Sequence, residues 1–227
     1  VPGDGGNNAG GNAGGNGQPE TPSQPSEPIE IDGGLYADKE CTQLKMSWED
    51  LIGNNIIEVN PNYIKHVGDI DGVLVFPTTL DVDFITGDAF KDCVNLTGII
   101  IQGNVGNISQ RAFYGCTGLE FVYIYSEMNL IDNYAFYNCT SLTEVVLPST
   151  ITEIMYDAFS GCRSLTWIDL SNITSIGFGA FQNCTSLSEV NLCSNLNNIG
   201  KQAFNNCKSL KKLTLPYLIE TIPNDIL

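Results

Sequence analysis

Eight cysteines and a single histidine are the side chains of this chain with the most chemistry to offer. A zinc site needs Cys and His converging at short spacings such as C-x-x-C, and the sequence contains none. Equivalent side chains of stacked repeats point the same way, so we expect free thiols that fill an apolar core. No metal or other cofactor is predicted. The pairing of Cys41 and Cys193 stays open, whereas six cysteines recur at a fixed interval: Cys93, Cys116, Cys139, Cys162, Cys184 and Cys207.

Catalytic arrangements have little support. Any Ser-His-Asp or Cys-His site would have to use His66, which lies in PNYIKHVGDIDG, where we expect a solvated loop. Glu144 and Glu189 would stand about 9–10 Å apart if they lie two coils apart on one face of a sheet, at the upper limit for an inverting glycosidase. An open sheet lacks the enclosure that raises the pKa of a general acid. The sequence therefore predicts no enzyme.

The acidic residues around the first predicted coil would suit calcium only in part. Asp81 and Asp83 lie in a two-residue insertion, with Asp69, Asp71 and Asp88 nearby. Their spacing fits no complete EF-hand loop, which also needs a terminal Glu. We therefore predict no metal site there either.

A repeat of 22 or 23 residues must position the cysteines. Each copy has Ala-Phe, a Cys three residues after the Phe and a Leu three residues later, as in Phe136, Cys139 and Leu142. These spacings place the side chains on one face of a short helical turn. Gly, Asn or Asp precedes each Cys, and these types tolerate a left-handed backbone, so the turn should end there.

Each helical turn is followed by a predicted strand. Two apolar residues, such as Val122 and Ile124, flank an outward residue, and this period of two with β-branched residues is typical of a half-buried strand. Strands of successive coils would stack about 4.8 Å apart into a parallel sheet. The fold class is therefore an α/β repeat, a solenoid with a short-stranded parallel sheet on one side and helical turns on the other. The chain should return to the core at Ile85, Ile108, Ile131, Ile154, Ile176, Ile199 and Ile222.

The repeat resembles the BspA-type leucine-rich repeats of bacterial surface proteins. The likeness is clearest in Ala158-Phe159-Ser160-Gly161-Cys162-Arg163-Ser164-Leu165 and covers roughly residues 73–227. It implies a right-handed, horseshoe-like solenoid outside the cell with an adhesive or protein-binding role. It implies no catalytic residue.

Three regions follow from composition. Residues 1–33 are rich in Gly, Asn and Pro and are predicted to form a disordered tether. Residues 34–72 should form a small helical N-terminal cap, with Ser47 capping a helix that ends at Gly53. Residues 73–227 should form a solenoid of about six to seven coils. No signal peptide or transmembrane segment is visible, and a lipid anchor upstream of Val1 is implied only by the resemblance of the tether to lipoprotein spacers.

The net charge of the chain bears on the kind of partner that it can bind. The formal net charge is −16, which disfavours nucleic acid because a phosphate backbone needs a basic footprint. We expect a monomer at the cell surface or outside the cell that binds an extracellular or host protein, with a glycan as the competing ligand.

The predicted binding site is an exposed aromatic and apolar patch on the outward face of the sheet. The core does not need these side chains, because their strand neighbours already fill it, and exposed Trp and Tyr are frequent anchors of interfaces. Two alternatives stay open: the side chains pack under a loop or the N-terminal cap, or the chain is a structural spacer of a larger surface assembly. The patch comprises Ile100, Phe121, Tyr123, Tyr125, Val146 and Trp167.

Overall fold

Short strands from successive coils form the main sheet of the protein. The computed structural model describes residues 31–66, 68–217, 219, 222–223 and 225–227. These strands are β5 (Gly72–Phe76), β8 (Leu96–Ile101), β10 (Phe121–Ile124), β12 (Glu144–Val146), β14 (Trp167–Leu170) and β16 (Glu189–Leu192). Parallel pairing joins them in the order β5, β8, β10, β12, and the next two coils contribute a separate parallel pair, β14 and β16. The expected parallel sheet is thus confirmed.

A second ladder of two-residue strands forms where the isoleucine column returns the chain to the core. Isolated bridges join Ile85 to Ile108 and Ile108 to Ile131, so the column is continuous. Its isoleucines are buried from Ile85 to Ile199, but Ile222 is 52% exposed and does not join them. The ladder strands are β7 (Phe84–Ile85), β11 (Leu130–Ile131), β13 (Glu153–Ile154), β15 (Ser175–Ile176) and β17 (Asn198–Ile199), and a further pair is β6 (Asp81–Val82) with β9 (Asn104–Val105).

The segment around each Ala-Phe is a run of tight turns, so the predicted helical turns are wrong. Backbone N–H groups alternate between two kinds of acceptor. In the coil of Phe113, the amides of Ala112, Tyr114 and Cys116 bond three residues back, whereas those of Arg111, Phe113 and Gly115 bond the next coil. In an α-helix every amide donates to the carbonyl four residues earlier in the same helix. An α-helix therefore cannot produce this alternation of acceptors.

Each turn contains two left-handed residues four positions apart. The second is the Gly, Asn or Asp before the Cys that the sequence indicates, such as Asn138 with φ of 58°. The first is unexpected, because it includes Arg111 at 60° and Tyr134 at 58°, and such side chains rarely adopt this conformation. The hydrogen bonds to neighbouring coils hold these residues in place.

Aromatic rings and thiols fill the core in two columns. Successive rings from Phe90 to Phe204 stack with centroids 5.0 to 5.5 Å apart, and all are fully buried. Beside them five of the six thiols of the column, all except Cys93, donate to a Phe carbonyl of the preceding coil, as Cys139 does to Phe113 at 3.2 Å. The six cysteines of the column are free, as predicted, and so are Cys41 and Cys193, whose pairing the sequence left open. These hydrogen bonds give the thiols a second structural role besides filling space.

The N-terminal region is mainly β structure, so a helical cap is the wrong description. Its single helix, α1 (Trp48–Gly53), has the predicted cap, because the Ser47 side chain accepts a hydrogen bond from the Asp50 amide. Trp48 is buried 5.6 Å from the ring of Phe76, at the end of the aromatic column. The strands are β1 (Gly34–Tyr36), β2 (Leu44–Ser47), β3 (Ile57–Asn60) and β4 (Tyr63–His66).

This region is joined to the solenoid. β1 pairs antiparallel with β5 and so extends the main sheet, and β4 pairs with β7. The described end of the predicted tether is also held, because the backbone of Ile31 exchanges two hydrogen bonds with the Gln102 side chain. The rest of that tether, residues 1–30, lies outside the described residues.

Candidate binding surface on the main sheet

The outward face of the main sheet carries the predicted site. Inward residues such as Ile99, Val122 and Val145 are aligned across β8, β10 and β12 and belong to the main core. Successive side chains of a strand point to opposite faces, so the residues between them point outward. Ile100, Tyr123 and Val146 are accordingly in register with one another.

The first part of this face is buried, which contradicts the exposure predicted for it. Phe121 is 1% exposed and Ile100 is 4% exposed. A Cβ atom built on Gly98 would overlap the Phe121 ring, so the ring lies over that glycine. Ile100 and Phe121 form a second small core with Tyr36 and the outward valines of β5, Val73 and Val75. Their exposure was wrongly predicted because the N-terminal segment covers them.

The cover is the N-terminal loop, residues 37–43, which connects β1 and β2. Lys39 of this loop forms an ion pair with Glu144 of β12 at 2.8 Å. Its ammonium also lies 5.1 Å from the ring centroid of Phe121 and 5.9 Å from that of Tyr123, within cation–π range. Cys41 packs against the second core. The alternative in which a loop covers the patch is therefore correct for this part of the sheet.

Three of the six predicted residues keep accessible surface. Tyr123, Tyr125 and Trp167 are half-buried. Val146, in contrast, is only 9% exposed and stands beside the larger Tyr123, so its predicted exposure is wrong. The accessible part of the face is thus limited to three half-buried aromatic residues, which we call the sheet-face aromatic rim: Tyr123, Tyr125 and Trp167.

The rim can donate hydrogen bonds. Burial, together with the hydrogen bond and charge of Glu144, raises the pKa of Tyr123 to about 12. Burial and the charge of Glu144 also raise the pKa of Tyr125. Both phenols therefore keep their protons at neutral pH. Burial by itself would lower the pKa of Lys39. The hydrogen bond from Lys39 to Glu144 and the charges around it outweigh this effect, so the pKa of Lys39 is raised overall. This edge of the site thus combines the Lys39–Glu144 ion pair with two protonated phenols beside apolar rings.

The other chemical candidates are engaged elsewhere. His66 lies in β4, not in the expected solvated loop, and stacks on Phe90 at 5.7 Å. Its Nδ1 is 3.5 Å from Sγ of Cys93, a contact that the sequence did not predict. Burial raises the pKa of Cys93 to about 12 and lowers that of His66, so both groups are neutral at physiological pH. A reactive thiolate needs the opposite arrangement.

The acidic residues considered for calcium do not converge. Asp81 accepts a hydrogen bond from Asn104, Asp71 pairs with Lys45, and Asp88 pairs with Arg111. Across the described ranges, no three His, Cys, Asp or Glu side chains are grouped as metal ligands would be. No helix in the same part of the chain is long and apolar enough to cross a bilayer.

Comparisons with known proteins agree with this architecture. A leucine-rich repeat protein of T. pallidum matches with a TM-score of 0.52 and 23% identity, over 68% of this chain and 86% of that one, which shows the fold alone. A leucine-rich cell surface protein of Faecalibacterium prausnitzii matches with a TM-score of 0.59 and 25% identity, over 74% of this chain. The chain spans 55% of that protein. A comparison with curated protein sequences finds no match.

The family model agrees with the repeat seen in the sequence and in the structure. The model of the BspA-type leucine-rich repeat region matches residues 107–227 in six copies. Proteins of this type are typically found at the cell surface, and their fold is typical of binding and structural modules. The chain therefore belongs to the BspA-type leucine-rich repeat family.

Proposed function

We propose that this protein is an adhesin-like binding protein that holds an extracellular protein on the sheet-face aromatic rim. One observation supports this proposal most directly. Tyr123, Tyr125 and Trp167 keep accessible surface on a face where the main core needs no aromatic side chain. Tyr and Trp carry much of the binding energy in protein interfaces, because they bury a large area while their polar atoms still find partners.

The test is a binding screen of the full chain against arrays of extracellular host proteins and glycans, with the double variant Tyr123→Ala/Trp167→Ala alongside. Loss of two interface anchors should weaken binding at least about 100-fold. The matched control is Tyr217→Ala, because Tyr217 is 90% exposed and lies outside the rim. Unchanged affinity in the double variant, with both variants folded, would disprove this site. A hit confined to glycans would move the proposal to carbohydrate recognition at the rim.

A structural spacer is the second candidate, favoured by the cover on Ile100 and Phe121. Part of the sheet face is already covered by another segment of the same chain. A module that only separates other domains needs no free sheet face, so this cover is compatible with a spacer. A chain that binds nothing on either array would favour the spacer.

Location and assembly complete the proposal. We infer a cell-surface or secreted monomer that is held to the membrane by a lipid anchor. Detergent-phase partitioning of the natural protein tests the anchor. Sedimentation of the purified chain tests the monomer, and a dimer would contradict it.

A further inference from the structure

Two adjoining cavities lie where the N-terminal region meets the segment that follows β5. Their volumes are about 370 Å³ and about 340 Å³. Cavities that bind ligands usually begin at about 300 Å³. Trp48, Pro77 and Thr79 line both cavities, which are therefore two halves of one cleft, and no residue of the sheet-face aromatic rim lines either half. We call it the Trp48 cleft: Asp32, Leu44, Trp48, Glu49, Val59 and Pro77.

Apolar side chains form part of the wall of the first half. A Cβ atom built on Gly33 would lie 2.6 Å from the Pro77 ring, and one built on Gly34 would lie 2.9 Å from a methyl group of Leu44. Two glycines thus let these side chains approach the backbone closely. Leu44 nevertheless remains 53% exposed. The first half therefore offers apolar surface that the core leaves uncovered.

Trp48 brings a hydrogen-bond donor to the cleft. Its side chain is 7% exposed and lines both halves. Among the residues that the structure describes, its indole N–H has no acceptor, and the fully enclosed polar side-chain atoms without a partner are His66 Nε2 and Asn107 Oδ1. The indole N–H is not one of these enclosed atoms, so it keeps contact with the cleft. An acceptor of a ligand would satisfy it there.

The first half of the cleft carries negative charge without a counter-charge. Asp32 and Glu49 line it, and no Lys, Arg or His is among its described lining residues. Neither carboxylate forms an ion pair within the described ranges. A cation with an apolar stem, such as an Arg or Lys side chain, would complement these carboxylates and pack against Leu44 and Pro77.

The second half lacks such free negative charge. Val59, Leu80 and Val82 are among its lining residues. Asp81 also lines it, but the Asp81 carboxylate already accepts a hydrogen bond from Asn104. This half is therefore suited to an uncharged side chain rather than to a second cation.

We propose that the Trp48 cleft binds an extended peptide segment of a partner protein that carries an Arg or Lys side chain. The basic side chain enters the first half, where Asp32 and Glu49 accept hydrogen bonds from its head group. The indole N–H of Trp48 donates to a backbone carbonyl of the peptide, and a neighbouring uncharged side chain fills the second half. A small amine would fill one half only, and an acidic peptide is disfavoured by the net charge of −16. This site does not rest on the function proposed for the sheet-face aromatic rim.

The test begins with selection of a random heptapeptide library, displayed on phage, against the immobilised full chain. Selected peptides should carry Arg or Lys beside uncharged residues. Synthetic copies are then titrated into the Trp167→Phe variant, in which Trp48 is the only tryptophan. The fluorescence of Trp48 should shift on binding, because the peptide contacts the indole.

Charge variants test the first half. Asp32→Asn/Glu49→Gln should weaken peptide binding about tenfold, because it removes both charged acceptors but keeps the shape of the side chains. The matched control is Glu127→Gln/Glu153→Gln, which removes the same charge from exposed positions of later coils and should leave the affinity unchanged. Added salt should weaken binding to the parent protein more than binding to the Asp32→Asn/Glu49→Gln variant.

Two further variants test the donor and the apolar wall by calorimetric titration. Trp48→Phe keeps an aromatic ring but removes the indole N–H, and it should weaken binding about fivefold. Leu44→Ala should weaken binding about threefold. Because Leu44 is 53% exposed, this second variant leaves the fold intact even where Trp48→Phe disturbs it.

Tyr123→Ala should leave the peptide affinity unchanged, which separates this site from the sheet-face aromatic rim. The proposal is overturned if no peptide is selected, if the selected peptides lack a basic residue, or if they bind the Asp32→Asn/Glu49→Gln variant as tightly as the parent protein. Loss of binding in Tyr123→Ala, with unchanged Trp48 fluorescence, would place the peptide at the rim and would equally contradict it.

Discussion

The ammonium of Lys39 lies 2.8 Å from the carboxylate of Glu144, although the two residues are 105 positions apart in the chain. This ion pair ties a loop ahead of the repeats to β12 of the solenoid. The same ammonium lies over the rings of Phe121 and Tyr123. The N-terminal loop therefore determines which part of the sheet face a ligand can reach.

Loss of the Lys39 contacts should loosen the loop without unfolding the protein. Lys39→Met keeps much of the side-chain volume but removes the charge. The two side chains of the ion pair are 48% and 30% exposed, so the free energy of unfolding should fall by no more than about 1 kcal/mol. Hydrogen exchange of residues 37–43 should accelerate, while exchange of the core strands changes little. Lys45→Met, which breaks the exposed pair with Asp71, is the matched control. Unchanged exchange in the loop would contradict the proposed tie.

Gly98 should be intolerant of a side chain. A methyl group there would overlap the Phe121 ring, and Gly98→Ala should reduce the free energy of unfolding by about 1–3 kcal/mol. Chemical denaturation measures this change. Gly53→Ala is the control, because nothing lies within 4 Å of a Cβ atom built at Gly53. In the double variant Gly98→Ala/Phe121→Ala the two losses should not add, since the clash disappears with the ring. Additive losses would show that the two residues are independent.

The thiols should differ sharply in reactivity. Six cysteines are buried, and Cys41 and Cys193 are partly exposed. In native protein at about pH 8, a chromogenic disulfide reagent should titrate these two thiols, and all eight only after denaturation. Cys41 should react more slowly than Cys193, because burial raises the pKa of Cys41 to about 11. Cys193→Ser should remove the fast phase. Rapid modification of Cys139 or Cys162, detected by mass spectrometry, would contradict the buried thiol column.

Stability should decrease as His66 gains a proton. Burial lowers the pKa of His66 below its ordinary value of 6.5, so the unfolded chain binds the proton first as the pH falls. The contribution of His66 to the free energy of unfolding should therefore be greatest above pH 6.5. It should decline as the pH falls through the lower pKa that His66 has in the folded state. His66→Phe, which keeps a ring against Phe90, should show a shallower decline between about pH 7 and about pH 5. Equal slopes in the two proteins would exclude this effect.

The candidate site was predictable only in part. Period-two alternation places Tyr123, Tyr125 and Trp167 on the outward face, because strand geometry fixes which face each residue occupies. It cannot place Lys39 or Cys41 over that face, since the loop that carries them is distant in sequence and has no periodic pattern. The burial of Ile100 and Phe121 follows from that non-local contact.

The sequence by itself determined the repeat, the Phe and Cys columns, the free thiols and the parallel sheet, because all of these depend on spacings that recur in register. Tertiary structure alone decided how the backbone is satisfied within each turn. The amides that bond the next coil hold Arg111 and Tyr134 in left-handed conformations that their residue types do not indicate. The tertiary structure also decided which part of the outward sheet face is accessible. That accessibility depends on what a distant segment covers, and no local spacing encodes such a contact.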